Sequence, residues 1–216
     1  MSKKPTGSIQ SLQISTFSDD STNLQIKIIK FSSDKEEIEK QIVDLFVKTT
    51  IKSGFSFLET PKQNKQDDFD FSLTLPGGKV YLELTEFIVK DQEIPYLTSS
   101  TPRTCGEFHD MFLKTIDNKI KKASKRLEKM TLLKKELLPV DLLCYTTHAD
   151  YNIDDVVVVL LQHTLLNYKN PFENIFLLQP IAFNHAHIRV LQPYSDKTID
   201  NNTLVKLRDN QLINLL

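Results

Sequence analysis

Apolar and polar residues alternate with a period of two along several short stretches of the chain, and apolar residues recur every three or four positions along longer ones. Alternation is typical of strands, and the longer period is typical of helices. The pattern predicts strands over residues 23–31, 54–59, 69–75, 79–87, 140–148, 173–180 and 187–193, and helices over 34–49, 107–133 and 152–168, the last opened by Asn152 and Asp155 as a capping box. After the opening strand, this order predicts an α/β protein with a mixed sheet flanked by helices.

The two ends of the chain differ in composition from the part between them. Residues 1–22 are rich in Ser, Thr, Lys and Asp, and they are predicted to form a mobile N-terminal arm. Residues 23–192 carry the periodic pattern and are predicted to form a single domain. Residues 193–216 are polar and then amphipathic, which predicts a tail with a docking helix for a protein partner or a second copy of the chain. A polar loop over 89–106, interrupted twice by proline, is long enough to indicate function or disorder.

Composition narrows the class of protein. The chain has 216 residues and a formal net charge of −1, so a nucleic-acid partner would require positive charge gathered locally. Two cysteines match neither a disulfide framework nor a metal-ligand spacing. The basic start lacks the apolar stretch of a signal peptide, and the longest apolar run, 156–161, is too short to cross a bilayer. These features predict a soluble cytoplasmic protein without a membrane partner.

Two strands joined by the turn at 76–78 carry acids that period two sorts by face. Asp68 and Asp70 share one face of the first strand, opposite Phe69 and the apolar residues that follow it. On the second strand Glu83 and Glu86 take opposite faces, so Asp70 meets Glu83 and Glu86 does not join them. Two carboxylates that converge on a sheet suit a hard divalent cation, and the alternative is an exposed acid pair at the sheet rim.

The first predicted helix places Glu39 inside its apolar arc, close to the direction of Phe46. A carboxylate on the core side is unfavourable unless it is paired or binds a metal. The alternative is a first-turn acid that reaches back to water and is stabilised by the helix dipole.

The long helix carries the local positive charge that the net charge hides. Residues 114–135 contain nine Lys or Arg and two acids. Most of the lysines point away from the apolar stripe, but Lys119 projects at its flank. The side chains predicted to contact a nucleic-acid backbone are Lys122, Lys125, Arg126 and Lys129. The alternative is an ordinary solvated basic face.

Together these elements resemble the PD-(D/E)XK, or restriction-endonuclease-like, nuclease superfamily. The features that carry the resemblance are a helix with Glu39, a strand led by "DFD", a glycine turn, a strand with "ELT" and a basic helix. They cover about residues 34–147, as an α-β-β-β-α-β core with additions after it. The resemblance implies that Asp70, with Asp68 as a less favoured substitute, and Glu83 are the motif acids, and that Glu39 completes a site for Mg²⁺ or Mn²⁺.

The chain departs from the family motif at Thr85, where the family has lysine. The resemblance implies that this position is catalytic and that Lys119, or Lys122 one turn on, supplies the missing ammonium. With that lysine, the expected function is metal-dependent hydrolysis of nucleic acid, DNA rather than RNA. Without it, the fold is expected to bind nucleic acid or a protein without catalysis.

A weaker candidate is the pair His185 and His187, which lie on the same face of a predicted strand. The two imidazoles are either metal ligands or ordinary histidines at a strand end.

Overall fold

A computed structural model describes residues 8–16, 22–32, 34–65, 68–87, 105–146, 155–182 and 185–193. Its elements, in chain order, are β1 (Ser8–Thr16), β2 (Thr22–Lys30), α1 (Lys35–Lys52), β3 (Lys62–Gln63), β4 (Phe71–Leu75), β5 (Gly78–Glu86), α2 (Cys105–Leu132), β6 (Val140–Tyr145), α3 (Asp155–Leu166), β7 (Ile175–Ala182) and β8 (His185–Gln192). The predicted tail after residue 193 and nearly all of the predicted loop 89–106 lie outside the described residues. No helix among the described residues is long and apolar enough to cross a membrane.

The predicted α/β fold with a mixed sheet flanked by helices is confirmed. Six strands lie in the order β3-β4-β5-β6-β7-β8. Strands β3, β4 and β5 are antiparallel neighbours, β5, β6 and β7 are parallel, and β8 is antiparallel to β7. The strand β5 therefore lies inside the sheet with paired backbone on both sides, and a side chain on it has a fixed position.

Two apolar cores cover the two faces of this sheet. The α1-side core joins Ile38, Ile42 and Phe46 to Leu82 and Leu84 of β5. The α2-side core joins α2 and α3 to the opposite face; its members include Phe69, Phe112, Ile116, Ala123, Leu142, Leu161 and Ile175. Because successive residues of β5 serve opposite cores, Glu83 and Thr85 point to the α2 side while their neighbours point to α1.

Local signals explain where α1 and the β4–β5 hairpin begin. Asp34 caps α1 by accepting a hydrogen bond from the Glu37 backbone N–H, 3.1 Å away, as short polar residues do at helix starts. Gly78 has a φ of 131°, a backbone conformation that residues with a Cβ atom rarely adopt. Glycine at this position therefore allows β5 to begin directly after the turn.

One predicted strand is absent, and two strands form where none is predicted. Residues 54–59 form no strand, and Phe55 and Leu58 are 65% and 64% exposed. Among the described residues, the segment makes a single backbone hydrogen bond to a strand, from Leu58 to the Thr74 carbonyl, which is too few to form a ladder. The short strand β3 forms instead in the predicted linker. Strand β1 forms within the predicted N-terminal arm, where it pairs with β2 over nine residues. Backbone pairing of this kind does not depend on apolar side chains, so the polar composition of the segment did not indicate it.

The sorting of Phe69 is also wrong. Phe69 packs in the α2-side core, while Phe71 packs in the α1-side core. Period two does not apply across this step because β4 starts only at Phe71. Before it, the Asn64 side chain donates to the Phe69 carbonyl at 2.9 Å, and the Asn64 backbone donates to the Asp70 carbonyl.

Candidate functional site

Glu83 is the most buried acid among the described residues, with 1% of its surface exposed. Its carboxylate points to α2 and meets two cations. Lys119 Nζ lies 2.7 Å from Oε1, and an Arg126 guanidinium nitrogen lies 2.5 Å from Oε2. A buried charge is tolerated only when it is paired and hydrogen-bonded, and both oxygens of Glu83 meet that condition.

Asp70 stands beside this pair at the start of β4. The register of the hairpin, with Phe71 opposite Leu82, places Asp70 opposite Glu83 just beyond the last paired residue. Asp70 Oδ2 accepts the backbone N–H of Leu84 at 2.7 Å and lies 4.0 Å from Lys119 Nζ. The Lys119 ammonium therefore stands between the two predicted motif acids.

Glu39 approaches from the α1 side. It is buried, as its position in the apolar arc predicts, and it pairs with Lys35 at 3.1 Å. Burial raises the pKa of the Glu39 carboxyl, and the negative charge of Asp70 raises it further, against the lowering effect of Lys35 and Lys119. Burial alone would lower the pKa of Lys35, but the charges of Glu39, Asp70 and Glu83 raise it. These shifts mark a compact group of acids of which two, Glu39 and Asp70, repel each other.

A cleft of about 500 Å³ opens between the start of α1 and the chain that leads into β4. It is lined by the acids Asp34, Glu36, Glu39, Asp68 and Asp70, the cations Lys35, Lys65 and Arg126, and the amides Gln63 and Asn64. Glu83, Thr85 and Lys119 do not line this cleft. Asp68, the substitute motif acid, makes an ion pair of 3.3 Å with Lys135 instead of approaching Glu83.

The structure brings the predicted acids near one another without making one ligand cluster of them. Among the described residues, no group of three or more His, Cys, Asp or Glu side chains is arranged to hold a metal ion. Glu39 and Asp70 both face the cleft, and Glu83 lies behind them. The metal assignment of all three acids stays a prediction.

The remaining predicted residues divide by exposure. Thr85 is buried on β5, on the face of Glu83. Lys122, Lys125 and Lys129 are exposed on α2, as a backbone-binding surface would require. Of the histidine pair, His187 is exposed on β8.

Arg126 has a place that sequence reasoning missed. The sequence predicts it as a backbone contact beside Lys122, Lys125 and Lys129, but its guanidinium pairs with Glu83 and its Cζ lies 5.7 Å from the Phe69 ring centre. A signal for this position is present in the sequence. Arg126 follows Lys119 by seven residues, two helical turns, so the two side chains project from the same side of α2.

Comparison with known proteins gives no family. No protein-family model matches the chain, and no curated protein matches it. One solved structure that is similar is SfsA from Pyrococcus furiosus in complex with Ca²⁺, with 14% identity over 83% of this chain and 74% of that one, and a TM-score of 0.30. A similarity of this size supports no assignment of fold family or function.

Proposed function

We propose that the chain is a divalent-metal-dependent phosphodiesterase that acts on nucleic acid, with DNA as the favoured substrate. The observation that carries the proposal is the position of Lys119, between Asp70 and Glu83 and next to a cleft that Glu39 lines. The motif lysine is absent at Thr85, and an ammonium reaches the acids from the neighbouring helix instead.

The donor set facing the cleft fits a hard divalent cation. Mg²⁺ usually takes one or two protein carboxylates and completes its shell with water and substrate phosphate, and Glu39 and Asp70 provide that number. The raised pKa of Glu39 supports the fit, because a cation beside Glu39 and Asp70 would relieve their repulsion. When bound, such an ion lowers the pKa of a water ligand and neutralises phosphate charge.

The basic side chains of the chain would bind the substrate phosphate and stabilise its negative charge. Lys119 would stabilise negative charge that develops on phosphorus, a role in which fixed donors have large effects. Arg126 lines the cleft and can offer the phosphate the guanidinium donors that Glu83 does not use. Exposed Lys122, Lys125 and Lys129 would bind the backbone on either side and displace counterions.

The test is nicking of supercoiled plasmid with Mg²⁺ or Mn²⁺ and with a chelator. We expect metal-dependent nicking that Asp70→Asn and Lys119→Met each reduce by about a hundredfold or more. Asp44→Asn and Lys114→Met are the controls for the same two charge changes, since Asp44 is exposed on α1, Lys114 is exposed on the helix that carries Lys119, and neither lines the cleft. Nicking that survives the chelator, or that the control variants reduce equally, would contradict the proposal.

A second candidate is a binding module without catalysis. It is favoured by Thr85 in place of lysine and by the pairing of Glu83 with two cations, which already neutralise that buried acid. This candidate predicts salt-sensitive nucleic-acid binding in chelator, no cleavage, and nucleic-acid binding that folded Glu83→Gln retains.

Binding is measured separately from cleavage. With oligonucleotide duplex in chelator, a Lys122, Lys125 and Lys129 triple alanine variant should reduce the slope of log affinity against log salt by about 3. The control is a triple alanine variant of exposed Lys40, Lys48 and Lys79. Binding without nicking of any DNA or RNA substrate would favour the second candidate, and no binding at all would refute both.

A further inference from the structure

We infer that Glu83 is a positioning residue that fixes Lys119 and Arg126, and that Glu39 and Asp70 hold the metal without it. The inference rests on the proposed function for the presence of a metal. It departs from the motif, which implies that Glu83 is itself a metal ligand.

The first argument is that both oxygens of Glu83 are occupied. Lys119 holds Oε1 at 2.7 Å and Arg126 holds Oε2 at 2.5 Å, in surroundings that leave 1% of the residue exposed. These two cations already neutralise the carboxylate of Glu83. A metal bound to the same carboxylate would bring further positive charge into a poorly solvated place beside Lys119 and Arg126, which is unfavourable.

The second argument is access. Glu39 and Asp70 line the cleft, whereas Glu83 does not. Arg126 both lines the cleft and pairs with Glu83, so its guanidinium stands between that carboxylate and the open space. A ligand that enters the cleft meets Glu39, Asp70 and the outer face of Arg126 before it reaches Glu83.

The third argument is that a lysine from a helix requires an anchor. A lysine has many rotamers, and an ammonium that must meet phosphate in one place has to be held there. Lys119 is held by Glu83 at 2.7 Å, while Asp70 at 4.0 Å is the more distant partner. A lysine at position 85 would be held in place by the sheet that carries it. Lys119 lies on a helix instead, and its pairing with Glu83 holds its ammonium in one position.

The decisive measurement is Mn²⁺ affinity by calorimetry for four variants that each remove one negative charge: Glu36→Gln, Glu39→Gln, Asp70→Asn and Glu83→Gln. Glu36 is exposed at the cleft and measures the effect of charge alone. We expect the variants of Glu39 and Asp70 to bind Mn²⁺ at least about tenfold more weakly than Glu36→Gln, and Glu83→Gln to match Glu36→Gln within about threefold. A loss for Glu83→Gln equal to that of Asp70→Asn would overturn the inference.

Glu83→Gln leaves two cations without their partner and can unfold the chain. The double variant Glu83→Gln with Arg126→Gln removes one charge of each sign, so the net charge near the cleft is unchanged. It should bind Mn²⁺ within about threefold of the wild type. A tenfold loss in the folded double variant, checked by its circular dichroism, would also overturn the inference.

The positioning role itself is tested by kcat. Glu83→Gln and Lys119→Met should each lower kcat with little change in KM, and adding Glu83→Gln to a variant that already carries Lys119→Met and Arg126→Gln should slow it no further. Multiplied losses would show that Glu83 does not act through Lys119. Failure of the proposed function is distinguishable: a wild type that binds no Mn²⁺ refutes the proposed metal, whereas Mn²⁺ binding that falls equally on removing Glu83 and Asp70 refutes only the inference that the metal is held without Glu83.

Discussion

Asp141 offers a quantitative test of the fold away from the cleft. It lies on β6 with 6% of its surface exposed, and its Oδ1 accepts the Asn174 backbone N–H at 3.1 Å and the Asn174 side-chain amide at 2.7 Å. Burial raises the pKa of Asp141 to about 6, against the lowering effect of Asn174. The folded chain therefore holds the proton of this carboxyl more tightly than the unfolded chain does.

The magnitude follows from the two pKa values. A rise from 3.8 to about 6, at 1.36 kcal/mol for each pH unit, amounts to about 3 kcal/mol. The sign is that of an acid whose pKa is raised. Its stabilising effect is complete below about pH 4, where both states hold the proton, and it is lost as pH rises through about 6. Asp141→Asn keeps an oxygen for Asn174 and removes the ionisation.

The assay is urea unfolding of both proteins at about pH 4.5 and pH 8. Relative to the wild type, we expect Asp141→Asn to gain about 2 kcal/mol in free energy of unfolding between the two pH values, because about 1 kcal/mol of the effect is already lost at pH 4.5. Asp44→Asn, an exposed acid on α1, is the control and should show almost no such gain. A stability difference for Asp141→Asn that stays the same at both pH values would refute the reasoning.

Three further results are expected. Mn²⁺ affinity of the wild type should rise with pH more steeply than that of Glu39→Gln, because the raised pKa of Glu39 leaves it partly protonated at acid pH, and equal slopes in calorimetry would contradict this. Phe69→Ala, which removes a fully buried ring stacked on Tyr81, should lower the free energy of unfolding by about 3–5 kcal/mol in urea titration, and a loss under about 1 kcal/mol would refute the burial. Thr164→Val should cost about 1 kcal/mol in the same titration, because it removes the hydroxyl 2.7 Å from His109 Nε2, and an unchanged midpoint would count against that bond.

The sequence predicted those parts of the site that depend on one element at a time. Glu39 could be placed from the apolar arc of α1, and Lys119 from the flank of the stripe on α2, because helical periodicity fixes direction before any partner is known. Asp70 and Glu83 could be matched because a tight turn sets the hairpin register.

The parts that failed depend on contacts between elements. Residues 54–59 have the alternation of a strand, but alternation does not supply a neighbouring strand to pair with. Phe69 changes side because Asn64 holds the chain before β4 in a bend, which no local pattern indicates. Arg126 resembled its basic neighbours, and only the packing of α2 on β5 shows that it reaches a buried acid.

The two sheet faces have a consequence for partly folded forms of the chain. Glu39 reaches the cleft from the helix on one face, and Arg126 reaches it from the helix on the other. A folding intermediate that keeps only one helical layer therefore lacks either Glu39 or Arg126 from the cleft lining. When the denaturant concentration is raised stepwise, ligand binding should be lost as soon as either helical layer unfolds. Ligand binding therefore measures the stability of the less stable layer, whereas the circular dichroism of the helices measures the unfolding of both layers.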